Sequence, residues 1–327
     1  DPIHHISLAQ EPDLVVVAPA TANIIAKMAN GIADDLISTT LLATPRPIVI
    51  APAMNNGMWK APATQANMAT LRDRGVHVVG PGSGYLACGD VDTGRMSEPE
   101  DIVEAICDVL NPAPQDLAGK RIVITAGPTH EPIDPVRFIG NRSSGKMGIA
   151  LAGEAARRGA AVTLVLGPIS LDVLRGVECV RVQTAAEMLR AALDAFQTAD
   201  AAICAAAVAD YTPAAPADHK LKKANERLDR IELVETVDIL AELSRQKGER
   251  CVIGFAAETD NVVEYAERKL ARKGCDAIIA NDVSRADSGF GTDTNKAWIV
   301  TTAGAQELPV LTKPQLADTI LDLLKNN

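Results

Sequence analysis

Nine short aliphatic runs punctuate this chain: Leu14–Ala18, Pro47–Ala51, Val76–Val79, Arg121–Thr125, Ala161–Leu166, Ala201–Ala205, Cys251–Phe255, Ala277–Ala280 and Ala297–Thr301. Most alternate with helix-length stretches, among them Ala22–Leu42, Pro99–Leu110, Gly148–Arg158, Ala185–Phe196, Asp238–Gln246 and Asn261–Lys273. Strands that alternate with helices argue for βαβ units, right-handed crossovers and a mostly parallel sheet. Composition agrees, because 47% of residues are hydrophobic but only 3% aromatic, so the cores must be built from Ala, Val, Leu and Ile. Such a supply suits strands buried on both faces. The expected fold class is α/β, with two doubly wound three-layer domains. Ligands are then expected at the loops after strands, at the carboxyl edge of each sheet.

A length of 327 residues is enough for about two domains. Asn111-Pro112-Ala113-Pro114-Gln115-Asp116 lies between a helix-like run and a fresh strand, and its prolines read as a linker. The expected division is 1–111, a linker at 112–118, and 119–327. Three strand runs before residue 111 are fewer than the roughly five of a complete doubly wound domain, so the first half is expected to be truncated at its amino terminus. Residues 1–116 carry 6 Lys and Arg against 14 Asp and Glu, and residues 117–327 carry 26 against 28. Neither half is basic enough to suggest nucleic acid. No apolar run reaches membrane-spanning length and no signal-peptide pattern opens the chain, so a soluble, cytoplasmic protein with no membrane partner is expected. The six cysteines include no C-x-x-C pair, which argues against a zinc or disulfide framework.

Thr125-Ala126-Gly127-Pro128-Thr129-His130-Glu131-Pro132-Ile133-Asp134, running on to Asn141-Arg142-Ser143-Ser144-Gly145-Lys146-Met147-Gly148, joins a strand to a helix. Glycines, hydroxyls, an Asn and a Lys at a helix start are the materials of an anion-gripping loop. The spacing matches no common phosphate loop: G-x-G-x-x-G is missing, and Gly145-Lys146 is followed by Met147 rather than Ser or Thr. Three more constellations lie at strand ends or beside them. Ala205-Ala206-Ala207-Val208-Ala209-Asp210-Tyr211 leads into Lys220-Leu221-Lys222-Lys223; Gly254-Phe255-Ala256-Ala257-Glu258-Thr259 ends a strand; and Lys269 and Lys273 are four apart on one helix face. Taken alone, the paired lysines also read as a solvated face, Lys220 as a loop charge and Asp210 as a cap.

In the first half the strand ends carry Pro19-Ala20-Thr21-Ala22-Asn23, Pro52-Ala53-Met54-Asn55 and a glycine-rich stretch from Gly80 through Cys88 to Gly94-Arg95-Met96. Asn55 can donate to a carboxylate or cap a turn. Cys88 can supply a proton or be an inert thiol. His5 can exchange protons near neutral pH or simply start a helix.

These segments, in this order, resemble two families of coenzyme A biosynthesis that are fused in most bacteria. His5-Ile6-Ser7-Leu8-Ala9, the Thr21 and Asn55 segments and Ala87-Cys88-Gly89 resemble the flavin-dependent phosphopantothenoylcysteine decarboxylases. That likeness implies a flavodoxin-like half that binds FMN, with His5 as the catalytic histidine. It also implies that Thr21, Ala22 and Asn23 touch the flavin, that Ala53, Met54 and Asn55 contact the substrate carboxylate, and that Cys88 is the proton donor. Residues 119–300 resemble phosphopantothenate–cysteine ligase, implying a complete Rossmann-like half that uses CTP and Mg²⁺ to join 4′-phosphopantothenate to cysteine through an acyl-cytidylate. Asn141 would orient that intermediate. Lys220, as a catalytic residue, with Lys269, Lys273 and Mg²⁺ would bind the nucleotide and stabilise charge on its phosphoryl oxygens, and Asp210, Phe255 and Val237-Asp238-Ile239-Leu240 would contact the nucleotide, with Val237 standing where a proline is common. The resemblance also implies homo-oligomers, with dimers through the ligase half and trimers through the decarboxylase half. Two other readings remain: a ligase whose first half serves assembly, and a nucleotide- or flavin-binding module without turnover.

Overall fold

The structure, a computed structural model, describes residues 4–85, 91–171, 176–222, 229–285, 288–289 and 291–325. Its contacts divide the chain into two units, Asp1–Ala113 and Pro114–Asn327.

The first unit runs α1 (His4–Gln10), β1 (Val15–Ala20), α2 (Ala22–Asn30), α3 (Leu36–Ala43), β2 (Ile48–Pro52), α4 (Asn56–Lys60), α5 (Pro62–Asp73), β3 (His77–Val78), β4 (Gly82–Tyr85), β5 (Val91–Arg95) and α6 (Pro99–Leu110). Strands β1, β2 and β3 form a parallel sheet in that order. The stretch Ala22–Leu42, expected as one helix length, is two helices. Gly31 ends α2 in the left-handed region at φ 68°, and Asp35 then starts α3 by accepting the Ser38 N–H at 2.7 Å. Lys27 fastens the joint, with Nζ 2.6 Å from Asp34 and 2.7 Å from Asp35. Helix α5 is absent from the sequence reading because only Thr64, Met68 and Leu71 of it are buried. That stripe is too narrow to register against an otherwise polar segment.

The second unit runs β6 (Arg121–Ala126), β7 (His130–Pro132), β8 (Phe138–Gly140), α7 (Lys146–Arg157), β9 (Ala161–Leu166), β10 (Glu178–Arg181), α8 (Ala185–Phe196), β11 (Ala201–Cys204), β12 (Tyr211–Pro213), β13 (Leu233–Glu235), α9 (Ile239–Arg245), β14 (Cys251–Glu258), α10 (Val262–Lys273), β15 (Ala277–Asp282), β16 (Thr294–Thr301), β17 (Gly304–Thr312) and α11 (Lys313–Leu321). Eight strands form one sheet in the order β10-β9-β6-β11-β14-β15-β16-β17, parallel up to β15 and antiparallel from there. Alternate residues of each strand feed opposite faces. Ile122 and Ile124 pack with Leu151 of α7 and Leu316 of α11, while Val123 packs with Met188, Phe196 and Leu270 from α8 and α10. The result is the doubly wound three-layer plan. Strand β17 went unread because it is an edge strand on which Leu308 alone is fully buried.

Gly148 sets how α7 meets the sheet, and Gly167 how the end of β9 passes the loop after β6. A Cβ at Gly148 would overlap the Cβ of Ala126, and a Cβ at Gly167 would overlap the Pro128 carbonyl. At its other end α7 is locked by Arg158, which is fully buried. Its Nε and Nη2 each donate to Asp116 at 2.9 Å, and its Nη1 reaches Asp318 and Asp322 at 3.0 Å. Arg158 draws the Asp116 carboxyl down to about 2. An unfolded aspartate titrates near 3.9, so the folded state is the weaker proton binder and this contribution to stability is complete above about pH 4. It is lost as pH falls from about 4 through about 2. Arg158→Met is expected to lower stability at neutral pH by about 2–3 kcal/mol, the scale of charged hydrogen bonds, and to flatten the acid limb of a denaturant–pH series. Gly148→Ala is expected to cost about 2 kcal/mol from overpacking, read as a lower urea midpoint.

Candidate active site

In the second unit a cavity of about 750 Å³ opens at the carboxyl ends of β6, β11, β14 and β15. The loop after β6 and the loop after β11 are stitched into one wall. The Ala206 N–H donates to Thr125 Oγ1 at 3.4 Å, the Ala209 N–H donates to Thr129 Oγ1 at 3.0 Å, and Pro128 bridges Ala207. Gly145, left-handed at φ 74°, turns the chain into α7 and, as its N-cap, offers the helix start no side chain of its own. The start of α7, the positive end of the helix, thus borders the cavity beside Ser143, Ser144 and Lys146.

Among the described residues five cations line this space: Lys146, Lys269, Arg272, Lys273 and Lys313. Lys269 Nζ donates to the Phe255 carbonyl at 2.8 Å. Burial pushes its ammonium below the usual lysine range, and Glu258 pulls it partly back. Lys273 pairs with Asp238, which also caps α9 by accepting the Ala241 N–H at 3.0 Å. Lys146 Nζ lies 2.6 Å from Asp293 and 3.2 Å from the Gly291 carbonyl. Lys313 is 5% exposed and donates to the carbonyls of Gly289 and Thr292. Arg272 and Lys313 were not singled out in the sequence. Lys313 opens α11 far along the chain, and nothing local marks its position as facing a strand end. Cys204 also lines the cavity, its thiol pushed up to about 12 by burial, which keeps it protonated and unreactive.

Of the residues singled out in this half, Asn141, Asp210, Val237, Asp238, Ile239, Leu240, Phe255, Lys269 and Lys273 all line the one cavity. Asn141 Nδ2 donates to the Val208 carbonyl at 2.8 Å, spanning the two loops of the wall. Lys220 is exposed and stands outside the lining, on the segment between β12 and β13.

In the first unit β1 and β2 are neighbours, and the Ala53 N–H donates to the Ala20 carbonyl at 3.0 Å. This brings Thr21, Ala22 and Asn23 beside Ala53, Met54 and Asn55. Thr21 caps α2 by accepting the Ile24 N–H at 3.4 Å, and Asn55 Oδ1 accepts the Gly57 N–H at 2.8 Å. The β4–β5 hairpin sits on the same place: the Met54 N–H donates to Gly94 O at 3.0 Å, and Gly94, at φ 141°, leaves no room for a Cβ against the Met54 carbonyl. Cys88 lies outside the described residues. His5 is half-buried on α1, which packs against α3. Among the described residues no three His, Cys, Asp or Glu gather to hold a metal. No helix among them is long and apolar enough to cross a membrane.

Residues 1–111 match the flavoprotein family model, and residues 117–327 match the model for the DNA/pantothenate metabolism flavoprotein C-terminal domain. The chain is 49% identical over 322 residues to the coenzyme A biosynthesis bifunctional protein CoaBC of Bacillus subtilis, covering 98% of this chain and 79% of that one. It is 47% identical over 301 residues to a cysteine/cysteine sulfinic acid decarboxylase from an unknown prokaryotic organism, covering 90% of this chain and 84% of that one. Among solved structures, the C-terminal domain of a CoaBC protein superposes with a TM-score of 0.56 at 44% identity, covering 65% of this chain and 97% of that one. The chain belongs to the family of bifunctional coenzyme A biosynthesis proteins, carrying the flavoprotein half and the pantothenate-metabolism half in that order.

Proposed function

We propose that the second unit uses CTP to join 4′-phosphopantothenate to cysteine, and that the first unit decarboxylates the product with FMN. The observation that carries the ligase reading is the convergence of Lys146, Lys269, Arg272, Lys273 and Lys313 with the start of α7 on one cavity. Such an array suits a polyphosphate, and preorganised donors are worth most where charge develops. As the substrate carboxylate attacks the α-phosphorus and pyrophosphate leaves, negative charge builds on phosphoryl oxygens, and Lys269 and the α7 N–H groups are the donors for it. The acyl-cytidylate then meets the cysteine amine, and CMP departs. Asn141, an amide between two loops, is the donor that orients the acyl group. Asp210 and Phe255, with the stretch Val237–Leu240, would receive the cytidine, and Lys220 would reach the nucleotide from its loop.

The described residues form no three-ligand acidic cage for Mg²⁺. A magnesium ion would be held mainly by the phosphates of the nucleotide, with one or two carboxylates, and would offset their charge. In the first unit, exposed hydroxyl and amide groups at adjacent strand ends suit the polar edge of a flavin and a substrate carboxylate. Thr21, Ala22 and Asn23 would hold FMN, which supplies the electron sink for loss of CO₂. Asn55 would grip the carboxylate, His5 would exchange the proton, and Cys88 would return one. Assembly into dimers through the second half and trimers through the first belongs to the same reading. The likeness to a decarboxylase named for free cysteine and cysteine sulfinic acid favours testing both as competing substrates of the first unit.

Sustained pyrophosphate release is expected only with CTP, phosphopantothenate and cysteine together, and sustained release without cysteine would sink the ligase reading. Lys269→Gln is expected to lower kcat/KM for CTP by about 10²-fold, the usual loss of one transition-state donor, and Asn141→Asp to slow amide formation by at least about tenfold. Because burial lowers the pKa of Lys269, the donor is lost as pH rises. The CTP kcat/KM is expected to decline beginning below lysine's ordinary value of about 10.4, and Lys269→Arg to flatten that limb.

A further inference from the structure

No described carboxylate is more buried than Asp134, which is 2% exposed in the turn between β7 and β8. Its two oxygens have separate partners. Oδ1 accepts the N–H groups of Val136 at 2.9 Å and Arg137 at 2.8 Å, which closes the turn. Oδ2 accepts Arg137 Nε at 3.0 Å, Arg137 Nη2, and the N–H of Leu221 at 3.2 Å. Arg137 Nη2 also donates to the Leu221 carbonyl at 3.1 Å. One ion pair therefore holds both backbone groups of a residue 87 positions away.

The turn alone does not need this. Oδ1 closes it, and a neutral amide could do as much. A buried carboxylate is costly unless its lone pairs are filled by strong donors, and here those donors come from Arg137 and from the segment that carries Lys220. The same segment is pinned nearby, where the Ala217 N–H donates to the Ile133 carbonyl at 2.9 Å. It begins after Tyr211 and ends before Glu235, both of which line the cavity. Its described part up to residue 222 thus leaves the cavity rim after Tyr211 as a strap fastened to the β7–β8 hairpin and its turn at Ala217 and Leu221. The Arg137 guanidinium keeps Asp134 well below the usual carboxylate range, so the fastening stays charged at neutral pH.

We propose that Asp134 is a positioning residue for the ligase reaction. By gripping Leu221 directly and through Arg137, it fixes where the adjacent Lys220 presents its ammonium to the nucleotide. This rests on the reading of Lys220 as a nucleotide contact. A strap ordered beforehand removes its ordering cost from the binding step. Losing the fastening should therefore act on CTP affinity rather than on the chemistry.

A double-mutant cycle on the full chain tests this, with kcat and KM for CTP measured for the unmodified protein, Asp134→Asn, Lys220→Gln and the pair. Asp134→Asn is expected to raise KM for CTP about tenfold with little change in kcat, and to add less than about twofold once Lys220 is already Gln. Equal effects of Asp134→Asn in both backgrounds would overturn the positioning role, since a general loss of stability does not depend on Lys220. If Lys220→Gln alone leaves KM and kcat unchanged, the nucleotide role of Lys220 falls, and the positioning role with it. Thermal unfolding checks that each variant folds. Should Asp134→Asn fail to fold, Leu221→Pro takes its place in the cycle. It deletes the strap's N–H while leaving carboxylate and guanidinium intact. The same non-additivity is expected, and additivity overturns the proposal.

Discussion

The second unit depends on how closely α7 approaches the end of β6. Gly148 lies against Ala126 and Gly167 against Pro128, at separations that leave no space for a side chain. Close contact lets the start of α7 reach the carboxyl end of β6, beside the loop after β11. A bulkier residue at either glycine would lift the helix or push the loop, and the positive helix end would no longer border the cavity. Arg158 secures the far end of the same helix to Asp116 and α11. The helix is therefore fixed at both ends, by absence of bulk at one and by ion pairs at the other.

From that placement the rest of the cavity follows. The Thr125–Gly148 loop can be stitched to Ala205–Asp210 because Thr125 and Thr129 each face an N–H of the second loop. Asn141 crosses between them. On the far side, α9 and α10 bring Asp238 and Lys273 together, and Lys269 turns inward to the end of β14. In the first unit the same logic works on a smaller scale: neighbouring parallel strands bring the Thr21 and Asn55 segments side by side, and Gly94 lets a hairpin rest on Met54.

Much of this was legible from residues alone, for a physical reason. Parallel strands buried on both faces, such as Ile122–Thr125 and Val252–Phe255, are aliphatic throughout and stand out in any window. Following such strands toward their ends led to residues that line the cavity: Phe255 within β14, and Asp210 and Asn141 in the connections after β11 and β6. What escaped lacked that contrast. Helix α5 buries a narrow stripe, β17 is an exposed edge, and the break in Ala22–Leu42 turns on Gly31 and the Asp35 cap rather than on hydrophobic period. Lys313 and Arg272 became visible only once α11 and α10 were packed on the sheet. The placement of Lys220 outside the cavity lining was equally out of reach, because it depends on where the β12–β13 connection is tied.

The cations of the cavity already hold internal partners: Lys146 has Asp293, Lys273 has Asp238, and Lys313 has two carbonyls. An incoming anion must compete with these groups rather than fill an empty field. At Lys146 and Lys273 a singly charged ligand gains little by the exchange, since it replaces one carboxylate with another group of the same charge. A chain of phosphates brings several charges at once and can outbid them together. At those two lysines the internal pairing thus favours a ligand of higher valence, before any shape is recognised.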